Sequence, residues 1–174
     1  CDGYTYEPSD NYRTKEQDKS VVAVGEALAN TLENVYGFAV VHDTTNHEPP
    51  RLATAYSRSE KTMLAYLDRY PTIRYFIDVH RDAYGKSASG KTDFVKLGGE
   101  ECARVMFVVG TGKGATGTGF GEMPDYENTL AFAQTVTSYL QSINPKLARE
   151  VRVKSGRYNQ HIPGCCMLIE FGHN

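Results

Sequence analysis

The chain has 174 residues and a formal net charge of −2 at pH 7, from 19 Lys plus Arg against 21 Asp plus Glu. Its 40% hydrophobic and 23% charged residues are typical of one globular domain. A nucleic-acid-binding protein needs a basic surplus to neutralise phosphates, and none exists here. No apolar run approaches the ~20 residues of a membrane-spanning helix, so the composition argues against both of these classes.

The two ends of the sequence suggest a piece of a longer protein. The chain starts at Cys1 without an initiator Met and stops soon after the strand-like Met167–Phe171. No apolar segment of the secretory kind stands at the start, so targeting signals would lie outside these residues. Residues 1–19 are polar and aperiodic, which predicts a loop.

Two helices and two strands are predicted in the first half of the chain. Apolar residues recur every three or four positions over 21–35, with Gly37 placed to end that helix in a left-handed conformation. Phe38–His42 is an apolar run of strand length, and a second helix is predicted over 57–70. Residues 73–80 are β-branched and aromatic, so strand, helix and strand predict a right-handed parallel crossover.

The second half predicts a hairpin, a central strand and a long helix. Two strand-like runs, 92–97 and 102–109, flank the pair Gly98 and Gly99, which is typical of a hairpin turn. The second run is nearly all apolar and should be a central strand buried on both faces. A glycine-rich loop then leads to a helix predicted over Tyr126–Ile143.

The closing elements complete an α/β fold. Asp125 is a plausible cap for the long helix, and two further strands are predicted at 151–153 and 166–171. Cys166 lies among apolar neighbours and should be a small buried residue. The elements together predict a single α/β domain with a twisted, mostly parallel sheet flanked by helices, and one β-hairpin.

The glycine-rich loop does not fit a nucleotide site. Gly112, Gly114 and Gly117 formally match G-x-G-x-x-G after a strand, but FGEMP intervenes before the helix begins. Lys113 is followed by Gly114, so no Walker A motif exists either. A mobile surface loop, such as a flap over a site, is the favoured interpretation.

His80 is the most informative of the five histidines. It follows the strand YFIDV directly, so it should project from the carboxyl end of a central strand, where open α/β sheets bind ligands. A lone histidine of this kind is more often satisfied by structural hydrogen bonds. His42 ends the preceding predicted strand and could converge with His80 on one point, and His47 with Glu48 lies in the loop after it.

Glu170 is the clearest anomaly in the sequence. It interrupts the apolar strand CCMLIEFG, where an unpaired carboxylate would be costly to bury. Burial raises a carboxyl pKa while a cation lowers it, and a carboxyl held between these influences is suited to proton transfer. The alternative is a structural salt bridge to Arg81 or Arg157.

Polar residues crowd the segment SGRYNQHIPG before the last strand. Arg157, Asn159, Gln160 and His161 suit hydrogen bonding to an amide-rich substrate, although a capped turn explains them equally well.

The N-terminal loop offers further metal ligands. Asp2, Glu7 and Glu16 are potential oxygen ligands for zinc. Zinc sites that perform hydrolysis commonly take three protein ligands and leave the fourth position to water. Periodicity does not select which of these residues would take part.

Five stretches together resemble the stage II sporulation protein P family: VVHDTTNHE, YPTIRYFIDVHRDA, VMFVVGTG, RYNQHIPG and MLIEFGHN. The resemblance runs in order from about Tyr12 to the last residue. The family consists of zinc-dependent N-acetylmuramoyl-L-alanine amidases that thin peptidoglycan during engulfment in spore-forming bacteria. It implies an amidase-type α/β fold and one catalytic domain over 1–174, truncated at both ends.

The resemblance also implies roles for single residues. The histidine of DVHRD is His80, an implied zinc ligand, and the glutamate of LIEFG is Glu170, the implied catalytic carboxylate. The family's other metal motif, His-Thr-His-x-x-Glu, would begin before this chain, with Asp2 in its acidic position. Glu7 and Glu16 remain alternatives for that ligand.

The charge and expected location of side chains suggest substrate contacts, and the resemblance implies partners. Arg81 and Lys113 could bind carboxylates of the peptide stem, and Asn159 and Gln160 its amides. The expected partners are peptidoglycan and a lytic transglycosylase, the stage II sporulation protein D. A membrane anchor outside this chain would place the protein outside the cytoplasm. The alternatives are a catalytically silent peptidoglycan-binding module and a zinc peptidase that acts within the stem.

Overall fold

The computed structural model describes residues 16–82, 93–115, 117 and 119–173. Among them are three α-helices, α1 (Val21–Asn34), α2 (Ala55–Arg69) and α3 (Tyr126–Ile143). Each lies within two residues of its predicted bounds. Gly37 has a φ of 72°, so the predicted left-handed end of α1 is confirmed.

Six strands in the described part of the chain form two sheets: β1 (Tyr75–Asp82), β2 (Phe94–Leu97), β3 (Glu100–Ala103), β4 (Val105–Gly110), β5 (Arg152–Lys154) and β6 (Cys165–His173). The main sheet has the order β1, β6, β4, β5, and β2 pairs with β3 in a separate hairpin. β6 runs parallel to β1 and antiparallel to β4, while β4 runs parallel to β5. The predicted α/β fold with a mostly parallel sheet and one hairpin is confirmed.

The central strand β4 is buried on both faces, as predicted. Its odd-numbered residues Phe107 and Val109 pack toward α3, together with Met167 and Ile169 of β6. Side chains alternate along a strand, so the even-numbered residues form a second cluster on the other face. That cluster consists of Met106, Val108 and Leu168, with Tyr158 packed against it.

The hairpin turn is confirmed at the glycine pair. Gly98 and Gly99 have φ values of 58° and 94°, which favour glycine in a tight hairpin turn. The run predicted as one strand is divided at Arg104, however. Its backbone N–H donates to the carbonyl of Asp93 and its Nε donates to the carbonyl of Lys146, which separates β3 from β4.

The predicted strand Phe38–His42 is wrong, and with it the crossover that it would begin. These residues form no strand, and Phe38 is 55% exposed. A strand needs a neighbouring strand edge for its backbone hydrogen bonds, and no described residue supplies one here. His42 lies instead against Gly25 of α1.

Asp125 occupies the N-cap position of α3, as predicted, but it does not cap through its side chain, which makes no capping hydrogen bond to the backbone. Its carboxylate accepts a hydrogen bond from the Asn128 side chain instead, at 2.8 Å. Cys166 is buried, which confirms the core position predicted for it. No helix among the described residues is both long and apolar enough to cross a membrane.

Candidate active site

His80 and Glu170 are neighbours across two paired strands. They are register partners on the parallel strands β1 and β6, ninety positions apart in sequence. Register partners in a parallel pair present their side chains on the same face, and the strands lie about 4.8 Å apart. Glu170 alternates with Ile169, so this face is the one turned away from α3. The imidazole and the carboxylate therefore share one side of the sheet.

Glu170 is a buried carboxyl with an unpartnered oxygen. It is 8% exposed, and its Oε2 accepts no hydrogen bond from the described residues. Burial raises its pKa, and nearby Asp82 adds to that rise, whereas the charge of His80 opposes it. The alternative salt bridge to Arg157 is not formed, because that guanidinium pairs with Glu60. Such a carboxyl takes up a proton more readily than an exposed one.

Two side chains, Asp78 and Tyr56, contact the imidazole of His80. Nε2 lies 2.9 Å from Oδ1 of Asp78, which precedes it by two positions on β1. The ring of Tyr56 stacks on it with a centroid distance of 6.5 Å and an interplanar angle of 8°. Burial opposes the ionisation of Asp78, but the charge and hydrogen bond of His80 hold its pKa below the usual value. Nδ1 of His80 makes no hydrogen bond with the described residues.

Tyr56 of α2, whose ring stacks on His80, also contacts a second tyrosine. The Tyr56 ring meets the Tyr158 ring edge to face at 5.6 Å. The Asn159 side chain donates to the Tyr56 carbonyl at 3.0 Å and to Ser59 Oγ at 2.9 Å. Burial raises the pKa of both tyrosines, so both rings carry neutral hydroxyls at neutral pH. The sequence analysis missed Tyr56, because nothing in α2 indicates which strand it approaches.

The predicted substrate-binding amides are engaged within the protein. Gln160 is 2% exposed; it donates to the Val108 carbonyl and accepts from the Gly110 N–H, both at 2.8 Å. Asn159 is similarly buried and binds α2. These hydrogen bonds give both amides a structural role. Their contact with substrate stays a prediction.

The structure describes both predicted cationic contacts, Arg81 and Lys113. Arg81 follows His80 directly, at a point where the register between β1 and β6 shifts. Lys113 is exposed in the glycine-rich loop. That loop is hydrogen bonded to the segment after β5, with Gly112 N–H donating to the Gly156 carbonyl.

The other predicted ligands are not brought together by the described residues. Asp2 and Glu7 lie outside the described residues, and Glu16 pairs with Lys19 at 2.8 Å. His42 is not on a strand, so paired strand ends do not bring it to His80, and a convergence of the two by another route stays a prediction.

The remaining loop histidine contacts α2. His47 Nε2 lies 2.9 Å from the hydroxyl of Thr62. The backbone carbonyls of His47 and Glu48 accept hydrogen bonds from the Arg58 guanidinium. The loop after the predicted strand is therefore fixed to α2.

A second group of side chains could hold a metal ion. Ligand atoms of Glu60, Glu122 and His161 lie within 4.8 Å of one another. His161 Nε2 is 3.0 Å from Glu60 and 3.5 Å from Glu122. The sequence analysis placed His161 in a polar cluster but missed both glutamates. They come from α2 and from the loop before α3, which only tertiary packing brings to His161.

Comparison with known proteins gives a consistent result. The family model described as stage II sporulation protein P matches residues 3–174. Stage II sporulation protein P of Bacillus subtilis (strain 168) is 26% identical over 163 residues. That match covers 88% of this chain but 37% of the relative, so the chain spans well under half of the relative's length. No solved structure matches the chain.

Proposed function

The chain belongs to the stage II sporulation protein P family of sporulation proteins, and on this basis we propose that it is a zinc-dependent N-acetylmuramoyl-L-alanine amidase. The reaction is hydrolysis of the amide between N-acetylmuramic acid and the L-alanine of the peptide stem. The observation that carries the proposal is the register pairing of His80 with Glu170 on one face of the sheet. This pairing supports the proposal because an imidazole, which can ligate zinc, lies beside a buried carboxyl.

The residues at this position fit a zinc ion. Neutral imidazole and carboxylate are ligands that zinc takes in hydrolytic sites. His80 would bind through Nδ1, and an acidic ligand would come from Asp2 or Glu7 of the N-terminal loop. Oε2 of Glu170 is buried and accepts no hydrogen bond from the described residues, so it is available to a polar group placed there. A zinc ion held here would lower the pKa of an attacking water to about 7 and so make that water easier to deprotonate.

Glu170 supplies the proton transfers in this mechanism. Its carboxylate accepts the proton of the water that attacks the lactyl amide carbonyl. Its protonated form then donates to the departing L-alanine nitrogen. Burial, which raises the pKa of Glu170, favours retention of that proton between the two steps. Asp78 and Tyr56 keep the imidazole of His80 oriented throughout.

The group of Glu60, Glu122 and His161 is a less favourable place for the zinc ion. One oxygen of Glu60 already pairs with the Arg157 guanidinium at 3.2 Å, and that positive charge repels a cation. Glu122 is 76% exposed, so water competes for its carboxylate.

The substrate implies the place and the partners of the reaction. Peptidoglycan lies outside the cytoplasm, so we place the catalytic domain there, with a membrane anchor outside this chain. The enzyme would act during engulfment, together with the stage II sporulation protein D transglycosylase. The site should be an open cleft, because a polymeric glycan must enter.

Mass spectrometry of digested peptidoglycan tests the proposed reaction. The full natural protein should release intact stems that carry a free L-alanine amine. Glu170→Gln should lower the cleavage rate at least about 100-fold, because it removes the proton-transfer group, and leave the zinc content unchanged. Glu26→Gln on the exposed side of α1 is the matched control and should retain activity. Cleavage within the stem, or full activity of Glu170→Gln, would refute the proposal.

A further inference from the structure

We propose that Asp78 is the positioning residue of His80: it holds Nε2 so that Nδ1 is the nitrogen presented to the metal. This inference rests on the proposed function, because it assigns a role within the same metal site. Asp78 itself is not a metal ligand in this arrangement.

The strand geometry brings the two groups together. Asp78 and His80 are two positions apart on β1, so their side chains lie on the same face. Their register partners on β6 are Leu168 and Glu170. The 2.9 Å separation between Asp78 Oδ1 and His80 Nε2 is a hydrogen-bond distance. The contact is therefore built into one strand and does not depend on a loop.

This hydrogen bond selects one form of the imidazole. A carboxylate can only accept, so the ring must carry its proton on Nε2. The lone pair then resides on Nδ1, which makes no hydrogen bond with the described residues. Carboxylate–histidine pairs of this kind fix the tautomer and orientation of metal-ligating histidines.

Tyr56 restricts a further motion of the His80 imidazole. Its ring stacks almost parallel to the imidazole, at an interplanar angle of 8°. The stack restricts tilting of the ring, while the Asp78 hydrogen bond restricts rotation in its plane. The two contacts together direct Nδ1 of His80 to one region of the site.

The geometry also argues against Asp78 as a direct ligand. The two nitrogens of an imidazole point away from each other. A carboxylate oxygen bound at Nε2 therefore lies across the ring from an ion bound at Nδ1. Asp78 and an ion held at Nδ1 would therefore lie at different edges of the His80 ring.

Zinc binding by variants of the full natural protein tests this role. We expect Asp78→Ala to lower the zinc affinity about 10- to 100-fold, measured by competition with a chromophoric chelator. Asp78→Asn keeps an oxygen that can accept from Nε2–H, so its affinity should fall between those of Asp78→Ala and the wild type. Asp68→Asn, on the exposed end of α2, is the matched control and should bind zinc like the wild type.

A second readout follows the imidazole itself. Nitrogen NMR of the metal-free wild type should show His80 as the Nε2–H tautomer, and Asp78→Asn should show a mixture of tautomers. A wild type in the Nδ1–H form would overturn the proposal, as would wild-type zinc affinity in Asp78→Ala. Loss of zinc as complete as in His80→Ala would make Asp78 a direct ligand and would also overturn it. Unchanged zinc affinity in His80→Ala would instead refute the metal site of the proposed function.

Discussion

Burial changes the acidity of two residues on the same face of β6. Cys166 and Glu170 are four positions apart on this strand, and both side chains are turned away from α3. Burial raises the pKa of Glu170, and it raises the pKa of Cys166 to about 12. The two raised pKa values have different consequences, because the two side chains contact different groups. Glu170 has His80 beside it and can exchange a proton, whereas Cys166 donates to the Ile162 carbonyl and lies in the core.

Cys166 should resist alkylation in the folded protein. With a pKa of about 12, only about one thousandth of this thiol is ionised at pH 9, and the thiolate is the reactive form. We expect iodoacetamide at pH 9 to modify the partly exposed Cys102 and to leave Cys166 unmodified, as read by peptide mass spectrometry. Protein unfolded in urea should react at both. Equal labelling of the two thiols in the folded state would contradict the buried position.

At the scale of elements, periodicity and turn chemistry predicted most of the fold. Three helices followed from apolar residues at three- and four-residue spacing, and the hairpin followed from adjacent glycines. Phe38–His42 failed because an apolar run of five residues does not specify its partner, and no described strand edge accepts it. Asp125 was correctly placed at the N-cap of α3, but its carboxylate accepts from the Asn128 side chain and not from the backbone.

The candidate-site residues could be predicted from the sequence only where a polar side chain interrupts or ends an apolar run. Glu170 and His80 interrupt or end apolar runs, and each is therefore recognisable as a candidate from the sequence. Tyr56 and Glu60 lie on a helix with no such anomaly, because their roles depend on which surface α2 contacts. Asn159 makes part of that contact, and although the sequence placed it in a polar cluster, nothing there indicated that its partner is on α2.

A substitution at Gly110, the last residue of β4, tests how closely this strand end packs against the segment after β5. A methyl group on Gly110 would overlap the carbonyl oxygen of Gly156 and the ring of Tyr158. We expect Gly110→Ala to lower the free energy of unfolding by about 1–3 kcal/mol, measured in urea. Gly121→Ala is the matched control, because nothing lies within 4 Å of its added carbon. Equal stability of the two variants would contradict the packing at this strand end.

At the scale of the whole molecule, a partly buried cation, Arg149, joins the two sheets. Arg149 Nη1 lies 3.2 Å from Asp82 at the end of β1, and Nη2 lies 3.3 Å from Asp93 just before β2. Burial lowers the pKa of Arg149, while the charge of Asp82 opposes that change. The hairpin is therefore fixed to the strand that carries His80.

Loss of this cation should destabilise the protein. Arg149→Ala leaves two buried carboxylates without it, so we expect a decrease of about 3–5 kcal/mol in the free energy of unfolding. Arg152→Ala is the control, because Arg152 is 48% exposed and lies 3.7 Å from Asp82. Its removal should cost about 1 kcal/mol or less. Urea denaturation measures the free energy of unfolding of both variants. Equal decreases in the two would contradict a dominant role for Arg149.

The position of zinc in crystals of the full natural protein tests the central claim most directly. Anomalous scattering at the zinc edge should place the ion about 2.1 Å from Nδ1 of His80, with Glu170 on the same side of the sheet. An ion bound by Glu60, Glu122 and His161, with Nδ1 of His80 free of metal, would contradict the account.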